Sequence, residues 1–221
     1  MIPQVVKNYE QEIWQAIGET FMMVGASIVA AILIGLPIGT LLYLSRKGQQ
    51  YENAILYNSV NLLVNIIRSF PFLLLVVFLI PFTRLVVGTA IGTTAAIVPL
   101  AIIAIAHYAR LVEQSLLDIP NGINEAAVSM GASIPQLMFH FLFVEARSSL
   151  IIGLTTSTIS FISYSTIMGV VGGGGIGDFA IRYGYQQFKT DLMFYVIFIM
   201  IIIVQIIQFI GMTIARKLDK R

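Results

Sequence analysis

A backbone inside hydrocarbon has no water to bond, so an apolar run of bilayer length must satisfy its own peptide groups, as a helix does. Four runs, residues 21–44, 85–109, 148–177 and 192–215, contain no Asp, Glu, Lys or Arg. Each supplies the ~20 residues a spanning helix needs. A fifth, residues 53–83, is interrupted only by Arg68. The pattern predicts an all-α membrane protein with about five transmembrane helices. With 57% hydrophobic and 11% charged residues, a soluble core has no room for this much apolar surface. The first run is too long for a signal-peptide core and follows Lys7, Glu10, Glu12 and Glu19, so no cleavage is expected.

Basic residues set the expected orientation. With the N-terminus outside, five spans leave Arg46, Lys47, Arg110, Arg147, Arg216, Lys217, Lys220 and Arg221 inside, against Lys7, Arg84, Arg182 and Lys189 outside. The inside excess predicts N-terminus out and C-terminus in the cytoplasm. Residues 1–15 then form an external segment, 16–216 the transmembrane domain, and 217–221 a cytoplasmic tail. A net charge of +2, with no basic stripe interleaved with aromatics, argues against nucleic acid. The absence of cysteine excludes disulfides, thiolate ligands and cysteine nucleophiles. His107 and His140 lack metal-ligand spacing, so no metal site is expected.

Two spans carry polar patterns. Asn58, Asn61, Asn65 and Arg68 recur at spacings of three, four and three, which places them on one helical face. That stripe either lines a solute path or subunit interface, or begins at the membrane surface and snorkels, the hydrophobic span then starting near Phe70 beyond a Pro71 kink. The fourth span is dense in hydroxyls. These can bond their own helix carbonyls, or the face of Thr156, Ser160, Ser163 and Ile167 can line a path at mid-membrane.

Several chemical signatures fail on context. Gly172, Gly174 and Gly177 fit a dinucleotide fingerprint in letters, yet follow a membrane span rather than a strand. Gly175, Gly177 and Asp178 resemble an intramembrane aspartyl protease motif, but no second carboxylate converges on Asp178. No nucleotide-binding Gly-x-x-x-x-Gly-Lys-Ser/Thr occurs, so any ATP hydrolysis belongs to another chain and this one is not an enzyme.

The connection 118–147 is long for a compact bundle, and it is ordered. Ile123, Ala126, Ala127 and Met130 fall on one helical face, and Gly131 stands where a C-cap glycine ends a helix. Ser133 with Gln136 forms an N-terminal capping signature, with Pro135 in the first turn. Ile134, Leu137, Met138, Phe141 and Leu142 then give a second apolar face. The result is a helix-Gly-helix hairpin that either packs under the bundle or presents an apolar knob and Glu125 to a soluble partner.

Glu125, Ala126, Ala127 and Gly131 with the following apolar helix resemble the EAA signature of permease subunits of bacterial ABC importers. NIIRSFPF, PFTRLVVGTAIGTTAAIVPL, ARLVEQSLLDIP and GGGIGDFAIRYGYQQF resemble, in order, the methionine-importer permeases. The similarity covers roughly residues 18–216. The family's usual proline, thirteen positions after the glycine, is Val144 here, which leaves the exit geometry of the hairpin open.

The resemblance implies a type-I importer fold in the bacterial cell membrane and a homodimer around a central path. Two ATP-binding subunits would dock on the hairpin through Glu125, Ala126, Ala127 and Gly131, and an external solute-binding protein would deliver substrate. ATP and magnesium would be used by the partner subunit, with no cofactor on this chain. The implied substrate is methionine, as the L and D enantiomers, with Ser160, Ser163, Tyr164, Ile167 and Met168 along the path. A similar importer for another small solute, and an ion-coupled carrier, are the competing readings.

Overall fold

The computed structural model describes residues 7–219. Residues 1–6 of the expected external segment, and Lys220 and Arg221 of the expected tail, lie outside the described residues. Regular structure among the described residues is entirely helical. Among the described residues four helices are long and apolar enough to span a membrane, and a bent pair brings the number to five when its two halves are counted as one span, against the expected number of about five.

Helix α1 (Glu10–Ser45) is a single 36-residue rod. Its start makes the second half of the expected external segment helical. Pro37 lacks an N–H and its ring crowds the preceding turn, and the rod absorbs this by widening to a π-helical turn over Ala31–Gly35. The same stretch sets the packing. A Cβ on Gly39 would lie 2.3 Å from the Ala109 carbonyl oxygen and 2.6 Å from Val112 Cβ, and one on Gly35 would lie 2.8 Å from the Ile105 carbonyl oxygen. Backbone therefore meets backbone where α1 crosses the third span, as small residues permit between membrane helices.

The second span is broken. Helix α2 (Ala54–Ser69) starts at Asn53, whose side chain accepts from the Leu56 N–H at 3.0 Å, a standard N-cap. Pro71 cannot continue the helix, and α3 (Phe72–Phe78) leaves at 105° to α2. The expected third run, 85–109, is not one helix. Helix α4 (Ile80–Val87) ends at Gly88, and α5 runs from Thr93 to Leu117. The intervening residues turn back, with the Gly92 N–H bonded to the Gly172 carbonyl at 2.9 Å.

Helix α6 (Asn121–Ser129) is short and lies between α5 and the next spanning helix in the chain. The expected second hairpin helix is not a separate element. It continues as α7 (Ile134–Val170), passing through a π-helical segment at Leu137–Leu142. Val144, where the family pattern has a proline, is simply an exposed residue of this rod. The span ends at Val170, earlier than the expected 177. The glycines beyond it fold back onto α7: a Cβ on Gly177 would lie 2.4 Å from Thr166 Cα.

Helix α8 (Gly175–Phe179) is held by α1. Glu19 Oε2 accepts from the Gly175 N–H at 2.7 Å, and Thr20 Oγ1 from the Ile176 N–H at 2.9 Å, so two of the first turn's free donors are satisfied by side chains. Asp178, the residue of the rejected protease motif, pairs with Arg182 one turn on. Helix α9 (Thr190–Leu218) crosses α7 at Gly211, whose missing Cβ makes room for Thr155 Oγ1.

The α1–α5 crossing yields a direct test. Gly39→Leu forces a side chain into main-chain atoms that cannot rotate away, a cost of ~1–3 kcal/mol or more. Gly25→Leu, at a position with nothing within 4 Å of its Cβ, serves as control. Thermal melts in detergent are expected to fall clearly for the first variant and to stay near the parent for the second.

Candidate functional site

Helix α6 owes its sharp end to Gly131, which takes φ +71°, a conformation that costs other residues dearly. The Ala132 N–H bonds the Ala127 carbonyl at 3.0 Å, and the Gly131 N–H bonds the Val128 carbonyl at 2.9 Å. These are the paired bonds of a Schellman cap. The next helix opens immediately: Gln136 Oε1 accepts from the Ser133 N–H at 2.9 Å and closes a capping box with it. Two helices thus meet at a corner of four residues, 130–133, with few free backbone groups.

Burial divides the helix into two faces. Ala127 is fully buried in a cluster with Leu137 and Leu142, and Ile123, Met138 and Phe141 pack against that cluster. The expected apolar face departs from the structure in three members: Ala126, Met130 and Ile134 point outward. Glu125, Val128 and Ser129 are exposed with them. Glu125 makes no hydrogen bond among the described residues. The signature residues therefore split, with Ala127 anchoring and Glu125 and Ala126 presented.

A residue that the sequence reasoning missed ties this helix to the spans. Asn124 Nδ2 donates to the buried Tyr43 hydroxyl at the end of α1, and reaches Gln49 Oε1 at 3.5 Å in the loop beyond. Position 124 adjoins the recognised run, but nothing local points to Tyr43, which lies 81 positions away. Movement of α6 relative to α1 must break or carry this contact.

The polar stripe has a partner of its own. Arg110 Nη2 donates to Asn61 Oδ1 at 2.5 Å and to Asn65 Oδ1 at 2.8 Å, while its Nη1 pairs with Glu113. Glu113 is 1% exposed. It also accepts from the Tyr57 hydroxyl at 3.3 Å and lies 3.7 Å from Arg46. Asn61 and Asn65 are therefore bonded to α5, Asn61 half-buried and Asn65 still exposed, whereas Asn58 and Arg68 are exposed without such a bond.

Along α7, the hydroxyls bond their own helix. Thr156 donates to the Ile152 carbonyl at 3.0 Å, Ser160 to Thr156 at 3.0 Å and Ser163 to Ile159 at 3.5 Å. Each spends its proton on the backbone but keeps lone pairs free to accept. Ser163 and Ile167 line a cavity of about 570 Å³ together with Thr166, Gly177, Ala180 and Gln205. Ser160 is half-buried above them. The other two path candidates sit elsewhere: Tyr164 stacks on Phe72 with ring centroids 4.8 Å apart, and Met168 is buried beside a small cavity of about 70 Å³ next to Val76.

Comparison with known proteins agrees with this architecture over nearly the whole chain. A family model described as the inner membrane component of binding-protein-dependent transport systems matches residues 31–221. A Vibrio cholerae serotype O1 protein named probable D-methionine transport system permease protein MetI is 44% identical over 203 residues, 92% of this chain and 90% of that one. The methionine import system permease protein MetP of Bacillus subtilis (strain 168) is 40% identical over 210 residues, 95% of each chain. A solved inward-facing structure of the MetNI methionine ABC transporter matches with a TM-score of 0.94 at 41% identity, over 96% of this chain and 99% of that one. The chain is a transport component rather than an enzyme, and it belongs to the family of binding-protein-dependent transport system inner membrane components.

Proposed function

We propose that the chain is the permease subunit of an ATP-driven methionine importer. It works as a homodimer in the bacterial cell membrane, its N-terminus outside, with two ATP-binding subunits on the cytoplasmic side and a solute-binding protein outside. The observation that carries this reading is α6: a short helix outside the spans, stopped sharply at Gly131, seated by Ala127, tied to α1 through Asn124 and Tyr43, and presenting Glu125 and Ala126. Methionine is favoured by relatives named for its transport at 40–44% identity over most of their length.

The mechanism needs no bond-breaking chemistry in this chain. ATP and its magnesium belong to the partner subunits, whose closure pushes on α6. Because the α6–α7 corner is fully capped and α7 is a continuous rod, displacement of α6 is passed to the span rather than absorbed by a loop. The path then opens outward or inward as a switch between discrete packings. Ser160, Ser163 and Ile167 offer a mixed hydroxyl and apolar lining suited to a thioether amino acid, while Tyr164 and Met168 pack on other sides of α7, against Phe72 and beside Val76.

Three outcomes follow. In the complex assembled in vesicles with its ATP-binding subunits and solute-binding protein, uptake of labelled L-methionine or D-methionine is expected to depend on ATP. Uptake of neither enantiomer would contradict the substrate reading. Gly131→Pro fixes φ near −65° where +71° is needed and deletes a capping N–H, at a cost of ~3 kcal/mol. Retention of the ATP-binding subunit on this variant is expected to fail in pull-down assays. Asn124→Ala removes the tie to Tyr43, worth ~0.5–1.5 kcal/mol, and is expected to leave assembly intact while ATP hydrolysis proceeds with reduced uptake per ATP.

A further inference from the structure

The charges around α2 leave one cation unanswered. Arg110 is satisfied by Asn61, Asn65 and Glu113, and Arg46 reaches the same Glu113 carboxylate. Arg68 makes no hydrogen bond or ion pair among the described residues. It lies instead within electrostatic reach of two further basic side chains, Arg110 and His107. A carboxylate already shared by two arginines cannot neutralise a third.

Depth makes this unusual. Tyr57 meets Glu113 and Arg46 where α1 gives way to the polar loop before α2, which marks one membrane surface. Arg68 stands eleven residues further along α2, about 16 Å along the helix axis at 1.5 Å per residue. Against a hydrocarbon core ~30 Å thick, that distance carries it away from the polar loop and into the apolar run 53–83, where it is the sole charge. Lipid phosphates stay at the surface, and an intramembrane charge marks a watery cavity or a pathway for ions or substrate.

The local geometry fixes the group in place. Helix α2 ends one residue later, and the chain turns by 105° into α3. Phe72, just past the elbow, is stacked on Tyr164 of α7. On α2, at 100° per residue, Arg68 shares a sector of roughly 80° with Asn58, Asn61 and Asn65. Asn58 and Arg68 are exposed on the isolated chain. The uncompensated guanidinium of Arg68 thus stands at one edge of the sector, with Asn58 at the other edge and about 15 Å away along the axis.

We propose that Arg68 is the carboxylate-binding residue of the translocation path. Its planar fork takes the α-carboxylate of the amino acid in transit through two parallel N–H···O bonds. This rests on the reading that the chain carries an amino acid. The empty path holds an unpaired cation that repels a neighbouring arginine, and an arriving zwitterion relieves it. A geometric fork rather than charge alone is required, so lysine is an incomplete replacement.

The test uses the complex purified from its own membranes with its co-purifying subunits and reconstituted in vesicles with or without phosphatidylglycerol. Uptake from a mixture of labelled amino acids is followed for the parent, Arg68→Gln and Arg68→Lys, alongside ATP hydrolysis without substrate. The proposal expects uptake to fall about tenfold or more in Arg68→Gln, less in Arg68→Lys, with basal hydrolysis within about twofold of the parent in both. Parent-like uptake by Arg68→Gln overturns it. So does an equal loss of uptake and basal hydrolysis in both variants, which assigns a structural role. A defect confined to vesicles containing phosphatidylglycerol also overturns it, because the anion is then a lipid headgroup. Import of a different amino acid by the parent defeats the methionine reading alone, since the Arg68 comparison is made on whichever amino acid enters. If none enters, both fall.

Discussion

The close approach of α1 to α5 at Gly35 and Gly39 positions most of what lies beyond it. With Cβ atoms absent at both glycines, the two backbones meet without intervening side chains. That contact brings the end of α1 beside the last turns of α5. Tyr43 is thereby placed to receive Asn124 from α6, and Arg46 to approach Glu113. A wider crossing would separate both pairs. In lipid, where apolar surface alone does not drive helices together, such close packing is a main source of association.

The second element of the framework is the buried carboxylate of Glu113. Moving a charge out of water costs several kcal/mol, and a buried pair repays this only with good geometry and further hydrogen bonds. Here Arg110, Tyr57 and Arg46 converge on one carboxylate, while the asparagines of α2 take up the rest of the Arg110 fork. The network also pins a register, because Asn61 and Asn65 are the residues of α2 that meet Arg110 on α5. It also accounts for the broken second span, because α2 is held by polar contacts up to Asn65 and α3 by the packing of Phe72, Leu75 and Val76 into the core.

What was legible in the sequence was local. The presence of spanning helices, the Gly131 stop and the Ser133–Gln136 start depend on neighbouring residues, and the structure has them where their chemistry demands. The division of residues 85–109 into a short helix and a span was hidden, because Gly88 and Gly92 sit in a run whose hydropathy shows no break. The continuation of α7 through the expected end of the hairpin was hidden for a related reason. With Val144 in place of a helix-breaking proline, no residue signals a stop, and a π-helical segment lets the rod continue. The periodicity of Asn58, Asn61, Asn65 and Arg68 was readable, but Arg110, 49 positions from Asn61, was not assignable as its partner. Glu19 reaches its partner across 156 positions, and no spacing rule finds such a pair.

The central claim is that α6 is the surface through which a separate ATPase moves the path. The chain contains no cysteine, so Ala126→Cys introduces a single, exposed attachment point for a photoactivated crosslinker on the outer face of that helix. In vesicles actively importing solute, the account predicts crosslinks to an ATP-binding subunit, with a yield that changes between nucleotide-free and ATP-bound states. Crosslinks confined to lipid or to this chain itself, in vesicles that still import, would contradict it.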